Sequence, residues 1–126
     1  LGACCPIRSK DDIDRSITIF KRKKALTLIS VKEIEKPVDW ILSKDKKSKL
    51  KRFIKKSKFV NRQKYEKYYI PNGSIYVFNT KELLKNISKN KDYFNKKTYC
   101  YEMPNERSID IDSSNDYKLA KYYLKK

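Results

Sequence analysis

The alternation of helical and strand-like segments along this 126-residue chain predicts an α/β fold. Three observations carry that prediction. Two S-x-x-D capping signals, Ser9 with Asp12 and Ser113 with Asp116, each open a stretch with helical apolar spacing. Two apolar runs, ALTLISV from Ala25 and TYCYEM from Thr98, read as strands. The two kinds of segment follow one another with neither an internal repeat nor a flexible linker.

The elements follow in order. Pro6 ends a short apolar piece that reads as the tail of a strand. Ile13, Ile17 and Phe20 recur at i, i+4 and i+7 and predict a helix near 10–23. A buried strand follows at 25–31, Pro37 breaks the chain, and 39–42 is expected to be a short strand. The basic stretch 44–58 is compatible with helix or turn. YYIPNGSIYVFN, from Tyr68 to Asn79, reads as strand on both sides of a Pro-Asn-Gly turn. Thr80 is expected to cap a helix over 81–88, with Leu83, Leu84 and Ile87 on one side. After the strand at 98–103, SIDID from Ser108 to Asp112 alternates like another strand. Leu119, Ala120, Tyr123 and Leu124 form the apolar face of a final helix.

Composition narrows the chemistry. Thirty-two basic against fifteen acidic residues give a net charge of +17, and histidine is absent. Histidine-based triads, zinc sites and general bases are therefore excluded within this chain. Two glycines, Gly2 and Gly73, cannot build a Gly-rich phosphate loop. No apolar run reaches the roughly 18 residues that span a bilayer, and the beginning of the chain lacks a signal-peptide layout. Cys4, Cys5 and Cys100 offer no even pairing and no CxxC spacing, so reduced thiols and a cytoplasmic location are expected.

Lys44–Lys58 concentrates nine basic residues with one acid. Such a stretch suits a nucleic-acid or other anionic partner, and equally a solvated face. Lysine outnumbers arginine 26 to 6, and arginine is the usual reader of base edges. A nucleic-acid partner is accordingly the less favoured reading. A non-catalytic basic module stays open as the alternative to an enzyme.

Three constellations could carry chemistry. Asp110 and Asp112, at i and i+2 on an extended segment, point the same way and suit Mg2+, while acids there also suit a helix entrance. RQKYEKYYIPNGSIY, from Arg62 to Tyr76, offers a guanidinium fork at Arg62 and an amide at Asn72, or a plain turn. Tyr93 and Phe94 can pack a sugar face, a subunit interface or a core.

Together these stretches resemble the acylneuraminate cytidylyltransferases, the CMP-sialic acid synthetases. Members carry R-Q-x-L-P-x-x-[YF]-R-P-N-G-A-I-Y, against RQKYEKYYIPNGSIY here. They also carry M-P-x-E-R-S-x-D-I-D-[ST]-x-x-D, against MPNERSIDIDSSND from Met103 to Asp116. PIRSKDDID from Pro6 is similar to P-L-R-T-x-x-D-I-D, and ALTLISV followed by KEIEKP fits S-V-x-x-x-E-x-x-P. The resemblance implies part of a Rossmann-like αβα nucleotidyltransferase domain with an inserted dimerisation subdomain at about 35–101. It implies CMP transfer from CTP to a nine-carbon acidic sugar, with release of pyrophosphate. On that analogy Asp110 and Asp112 are catalytic and hold Mg2+, and Arg62, Asn72 and Tyr76 contact substrate. Tyr93 and Phe94 would reach the sugar site of the neighbouring subunit in a homodimer. The family's phosphate-gripping loop has no counterpart here, so a C-terminal portion, inactive alone, is expected. Gly2 stands where the family has a sugar-contacting glutamine, Ile70 where it has the arginine before P-N-G, and Tyr65-Glu66 where it has L-P. The acceptor therefore stays open among sialic, legionaminic and pseudaminic acids.

Overall fold

The computed structural model describes residues 1–54 and 66–125. Its elements run α1 (Lys10–Arg22), β1 (Thr27–Glu33), β2 (Leu42–Lys44), β3 (Leu50–Arg52), β4 (Tyr69–Phe78), α2 (Thr80–Ser88), β5 (Thr98–Glu102) and α3 (Ser114–Leu124). Short 3-10 turns occupy Val38–Trp40 and Asn105–Arg107. The chain divides into two compact units, 1–32 with 71–126, and 33–70.

In the larger unit the sheet order is β4-β1-β5. β1 and β5 are parallel, with Thr27 opposite Thr98 and Val31 opposite Glu102. β4 runs the other way: the Asn79 N–H donates to Leu26 O at its far end, and the Ser30 hydroxyl accepts from the Ile75 N–H midway. α1 starts where the sequence places it. Ser9 Oγ accepts from the Asp12 N–H, and the Asp12 carboxylate accepts from the Ser9 N–H. This reciprocal cap satisfies two donors that a helix start would otherwise leave open. The helix covers one sheet face, where Leu28, Ile75, Tyr101 and Met103 form the core and Ile13, Ile19, Phe20 and Val77 close over it. Leu28 is wholly buried, so its truncation to alanine would cost about 2–5 kcal/mol. Ile17, expected in that face, is exposed, and Ile19 takes its place.

Several expected elements change. Pro6 ends no strand; the first nine residues are turns and irregular chain, joined to β4 by a backbone bond from the Gly2 N–H to Ser74 O and by the Cys5 thiol on Asn72 O. The Pro-Asn-Gly sequence does not turn the chain back: β4 runs continuously through Pro71, Asn72 and Gly73. SIDID is not a strand either. Ile109 is buried and Ile111 half-buried, as alternation requires, yet its backbone bonds are those of a loop: the Ser108 N–H donates to Asn105 O and the Ile111 N–H to Cys4 O. A ladder needs a strand beside it, and among the described residues none pairs with this segment. The cap of α2 is Asn79, one residue before Thr80, and Leu84 and Ile87 stay exposed. α3 has the expected reciprocal cap between Ser113 and Asp116 and buries Ala120, while Leu119 and Leu124 are exposed.

In the smaller unit, β2 and β3 pair antiparallel, Leu42 opposite Arg52. The segment that is ambiguous from sequence is thus a hairpin as far as it is described; 55–58 lies outside the described residues. The expected strand at 39–42 is a 3-10 turn followed by β2. Trp40, Ile41, Leu42, Leu50 and Phe53 are all exposed. No helix among the described residues is long and apolar enough to cross a membrane.

Candidate functional site

The site is built where β4 passes β1. Asn72 is buried, and all its hydrogen-bonding capacity faces inward. Its Oδ1 accepts from Ser30 Oγ at 2.6 Å and from the Ser74 N–H at 3.2 Å. Its Nδ2 donates to Ser108 Oγ at 2.8 Å. One amide therefore ties β4 to β1 and to the segment after β5. An unpaired buried amide would be costly, so this arrangement admits few alternatives. The next residue, Gly73, has φ +73°, a conformation that suits glycine.

The segment after β5 brings a carboxylate to this glycine. Met103, Ser108 and Ile109 are buried, whereas Asp110 is exposed. A β-carbon on Gly73 would stand 2.9 Å from Asp110 Oδ2, so the glycine leaves room for the carboxylate. Cys5 completes the corner. Its Sγ lies 3.3 Å from Asn72 O and 3.5 Å from Asp110 Oδ1, and the one S–H proton serves both acceptors. Burial pushes the Cys5 thiol up to about 11, with the Asp110 charge and hydrogen bond adding to it. The thiol is therefore a neutral donor here, and a poor nucleophile. Arg8 holds the turn that carries Cys5 by donating to the carbonyls of Gly2 and Cys5.

A second carboxylate, on α1, grips the segment that carries the first. Asp12 is buried and accepts from Arg107 Nε at 2.9 Å and Nη2 at 3.0 Å, from the Tyr101 hydroxyl at 2.9 Å, and from the Ser9 N–H and hydroxyl. Burial alone would raise its pKa. The Arg107 guanidinium, with Ser9 and Tyr101, overrides that and holds it at about 2. Burial and the bond to Asp12 push the Tyr101 phenol up.

Aromatic rings cluster nearby. Tyr76 and Phe78 are stacked at 6.2 Å, and Tyr93 meets both edge-on, at 6.3 and 5.7 Å. Burial raises the Tyr76 phenol, followed by the effects of Tyr93, Cys5 and Asp110. Tyr76 thus feels the same charge that Cys5 touches. Tyr93 is held through its carbonyl, which accepts from Thr27 Oγ1 at 2.9 Å and from Asn95 Nδ2 at 3.1 Å. Phe94 beside it is largely exposed.

Of the residues singled out from sequence, Asp110, Asn72, Tyr76 and Tyr93 gather in this region. Asn72 does so with its side chain turned to the interior. Tyr93 packs on Tyr76 of its own chain. Asp112 is exposed and lies just before the Ser113 cap. Arg62 lies outside the described residues. The Asp12–Arg107–Tyr101 cluster and the Cys5 contact escaped the sequence reading. Arg107 lies inside the MPNERSIDID motif, but its partner lies far back in the chain, and no local pattern joins them.

Neither Asp110 nor Asp112 makes an ion pair among the described residues, despite the strongly basic composition. No group of three His, Cys, Asp or Glu side chains among those residues could hold a metal ion. The donor set is hard oxygen, which fits Mg2+ in kind, with most of the shell left to other ligands.

Open α/β sheets commonly bind ligands beyond the carboxyl ends of their strands, and Asp110 lies on the segment that follows β5. No family model matches the chain. It is 26% identical over 117 residues, 93% of its length and 27% of the relative's, to an N-acylneuraminate cytidylyltransferase of Streptococcus agalactiae. It is 30% identical over 125 residues, 99% of its length and 51% of the relative's, to the post-translational flagellin modification protein B of Campylobacter coli. A third relative, a CMP-N,N'-diacetyllegionaminic acid synthase of Campylobacter jejuni, is 36% identical over 70 residues, 56% of this chain and 28% of that one. The chain is similar in sequence to acylneuraminate cytidylyltransferases, and it spans between about a quarter and a half of the length of the curated relatives it matches.

Proposed function

We propose that this chain contributes the metal-binding carboxylates and part of the sugar site of a cytidylyltransferase that transfers CMP from CTP to a nine-carbon acidic sugar. The observation that carries the proposal is the Asp110 carboxylate, free of any cation among the described residues, held beside Gly73 and Cys5 and next to the Tyr76–Phe78–Tyr93 rings. Homology to the cytidylyltransferases supports it. Asp110 and Asp112 would hold Mg2+, which supplies charge neutralisation at the phosphates and assists departure of pyrophosphate. Cys5 keeps Asp110 oriented as a neutral donor. The rings offer a face on which the apolar side of a sugar can pack, with Tyr93 and Phe94 at its margin. Arg62 and Asn72 complete the proposed substrate set. Arg62 would act through its guanidinium, and Asn72 would act by fixing the backbone around Gly73.

The same reading includes a homodimer in the cytoplasm, inactivity of this chain by itself, and a sialic, legionaminic or pseudaminic acid as acceptor. The exposed apolar residues Trp40, Leu42, Leu50 and Phe53 of the smaller unit support the dimer. The rival reading, a basic module for nucleic acid, gains nothing from the relatives, whose names are those of sugar-nucleotide enzymes and a flagellin-modifying protein. The test joins this chain to a nucleotide-binding half from a relative and supplies CTP, Mg2+ and each of the three sugars. Pyrophosphate release is expected with at least one, falling about a hundredfold in Asp110→Asn. No release with any acceptor, or full turnover in both Asp110→Asn and Asp112→Asn, would overturn the proposal.

A further inference from the structure

The residues that lead into and out of Asp110 are held by partners from distant parts of the chain. Arg107 is gripped by Asp12, Ser108 Oγ accepts from Asn72, Ile109 is buried, and the Ile111 N–H donates to Cys4 O at 2.9 Å. Among these holds, the one at Arg107 differs in kind. It is a bidentate, charge-assisted pair, so it fixes the guanidinium in direction as well as distance. Its acceptor cannot move. The Asp12 side chain is 1% exposed, caps α1 through Ser9, and is bonded by Tyr101 at the end of β5. Three peptide steps separate Arg107 from Asp110, a span of about 10 Å at most, so slack at the first would reach the second.

We propose that Arg107 and Asp12 are positioning residues for Asp110. They set where the carboxylate stands without touching substrate or metal. The inference rests on the reading of Asp110 as a metal-binding carboxylate under the proposed function. It gives the pair of half-exposed Arg107 and buried Asp12 a role beyond stability: α1, through one side chain, sets the place of the chemistry. Asn72 secures the next residue from the β4 side, so the stretch that leads into Asp110 is fixed from both α1 and β4. Removing the one at Arg107 should loosen 108–111 and leave the β1–β5 ladder in place.

The experiment uses the whole chain, labelled for NMR, with Mn2+ alone as the probe. In Arg107→Gln, the Ile111 amide should exchange about tenfold faster. Mn2+ broadening of the Gly73 and Asp110 amides should weaken about tenfold. The Met103 N–H, which donates to Val31 O, should keep its protection. Arg107→Lys keeps the charge but not the fork and should fall between; it decides the matter if Arg107→Gln does not fold. Unchanged Ile111 exchange in these variants would overturn the proposal. So would equal loss of protection at Ile111 and Met103, because that marks a merely structural pair. If Ile111 responds as expected but Mn2+ broadens neither amide in the unsubstituted chain, the hold on the segment stands and the metal reading of Asp110 falls.

Discussion

Gly73 and Asp110 are mutually exclusive occupants of one space: a β-carbon on the first would stand 2.9 Å from Oδ2 of the second. The backbone adds to this, since φ +73° is strained for any residue with a side chain. Gly73→Ala should therefore cost about 1–2 kcal/mol in urea melts and displace the Asp110 carboxylate. A wild-type melting midpoint together with unchanged Asp110 chemical shifts would contradict this.

Acid should weaken the fold through Asp12. Its carboxyl is held at about 2 against an ordinary 3.8, so below pH 4 the unfolded chain binds the proton more readily. The contribution is complete above about pH 5, about 2 kcal/mol, and is lost as pH falls through 2. Asp12→Asn should remove that dependence, so the variant and the parent should converge in stability at low pH. Parallel stability curves from pH 6 to 2 would show that the Arg107 pair contributes nothing of this kind.

The three thiols should separate by reactivity. Cys4 and Cys100 are exposed, while Cys5 is buried and its thiol is pushed up to about 11. A thiol-specific reagent at pH 8 should modify Cys4 and Cys100 quickly, and Cys5 only at the rate of unfolding. Three equal rates would place Cys5 outside the Asp110 corner.

Ser74 is fully buried, and its hydroxyl has no hydrogen-bond partner among the described residues. Ser74→Ala removes an unsatisfied group and little volume, so stability should hold or rise by up to about 1 kcal/mol. A loss of more than that in thermal melts would show that the hydroxyl has a partner.

The helices α1 and α3 are legible in the sequence because their caps are local: a serine and an aspartate three residues apart suffice. β1 and β5 are legible from their apolar runs. The continuous path of β4 is not. Pro-Asn-Gly is turn chemistry unless the asparagine finds better partners, and here Ser30 and Ser108 supply them from 42 and 36 residues away. SIDID misleads for the opposite reason. Its alternation reflects real burial of Ile109, but burial on one side does not make a ladder. At the site, Asp110 and Tyr76 stand out as residue types in a motif, whereas Cys5 and Asp12 matter only through contacts that the fold creates.

The double use of Asp12 has a consequence for how the domain can vary. A helix cap is ordinarily exchangeable, since Ser, Thr, Asp and Asn serve nearly alike, and a cap can drift by a residue while the helix persists. Here the carboxylate that closes the first turn of α1 also grips Arg107. Sliding the helix start by one position would swing the acid away from the guanidinium, and an isosteric Asn at position 12 would keep an acceptor for the Ser9 N–H but lose the charge that grips Arg107. An insertion between Ser9 and Asp12 would thus break two things at once, the start of the helix and the grip on the segment that carries Asp110, so the three-residue step from serine to aspartate serves as a ruler for both.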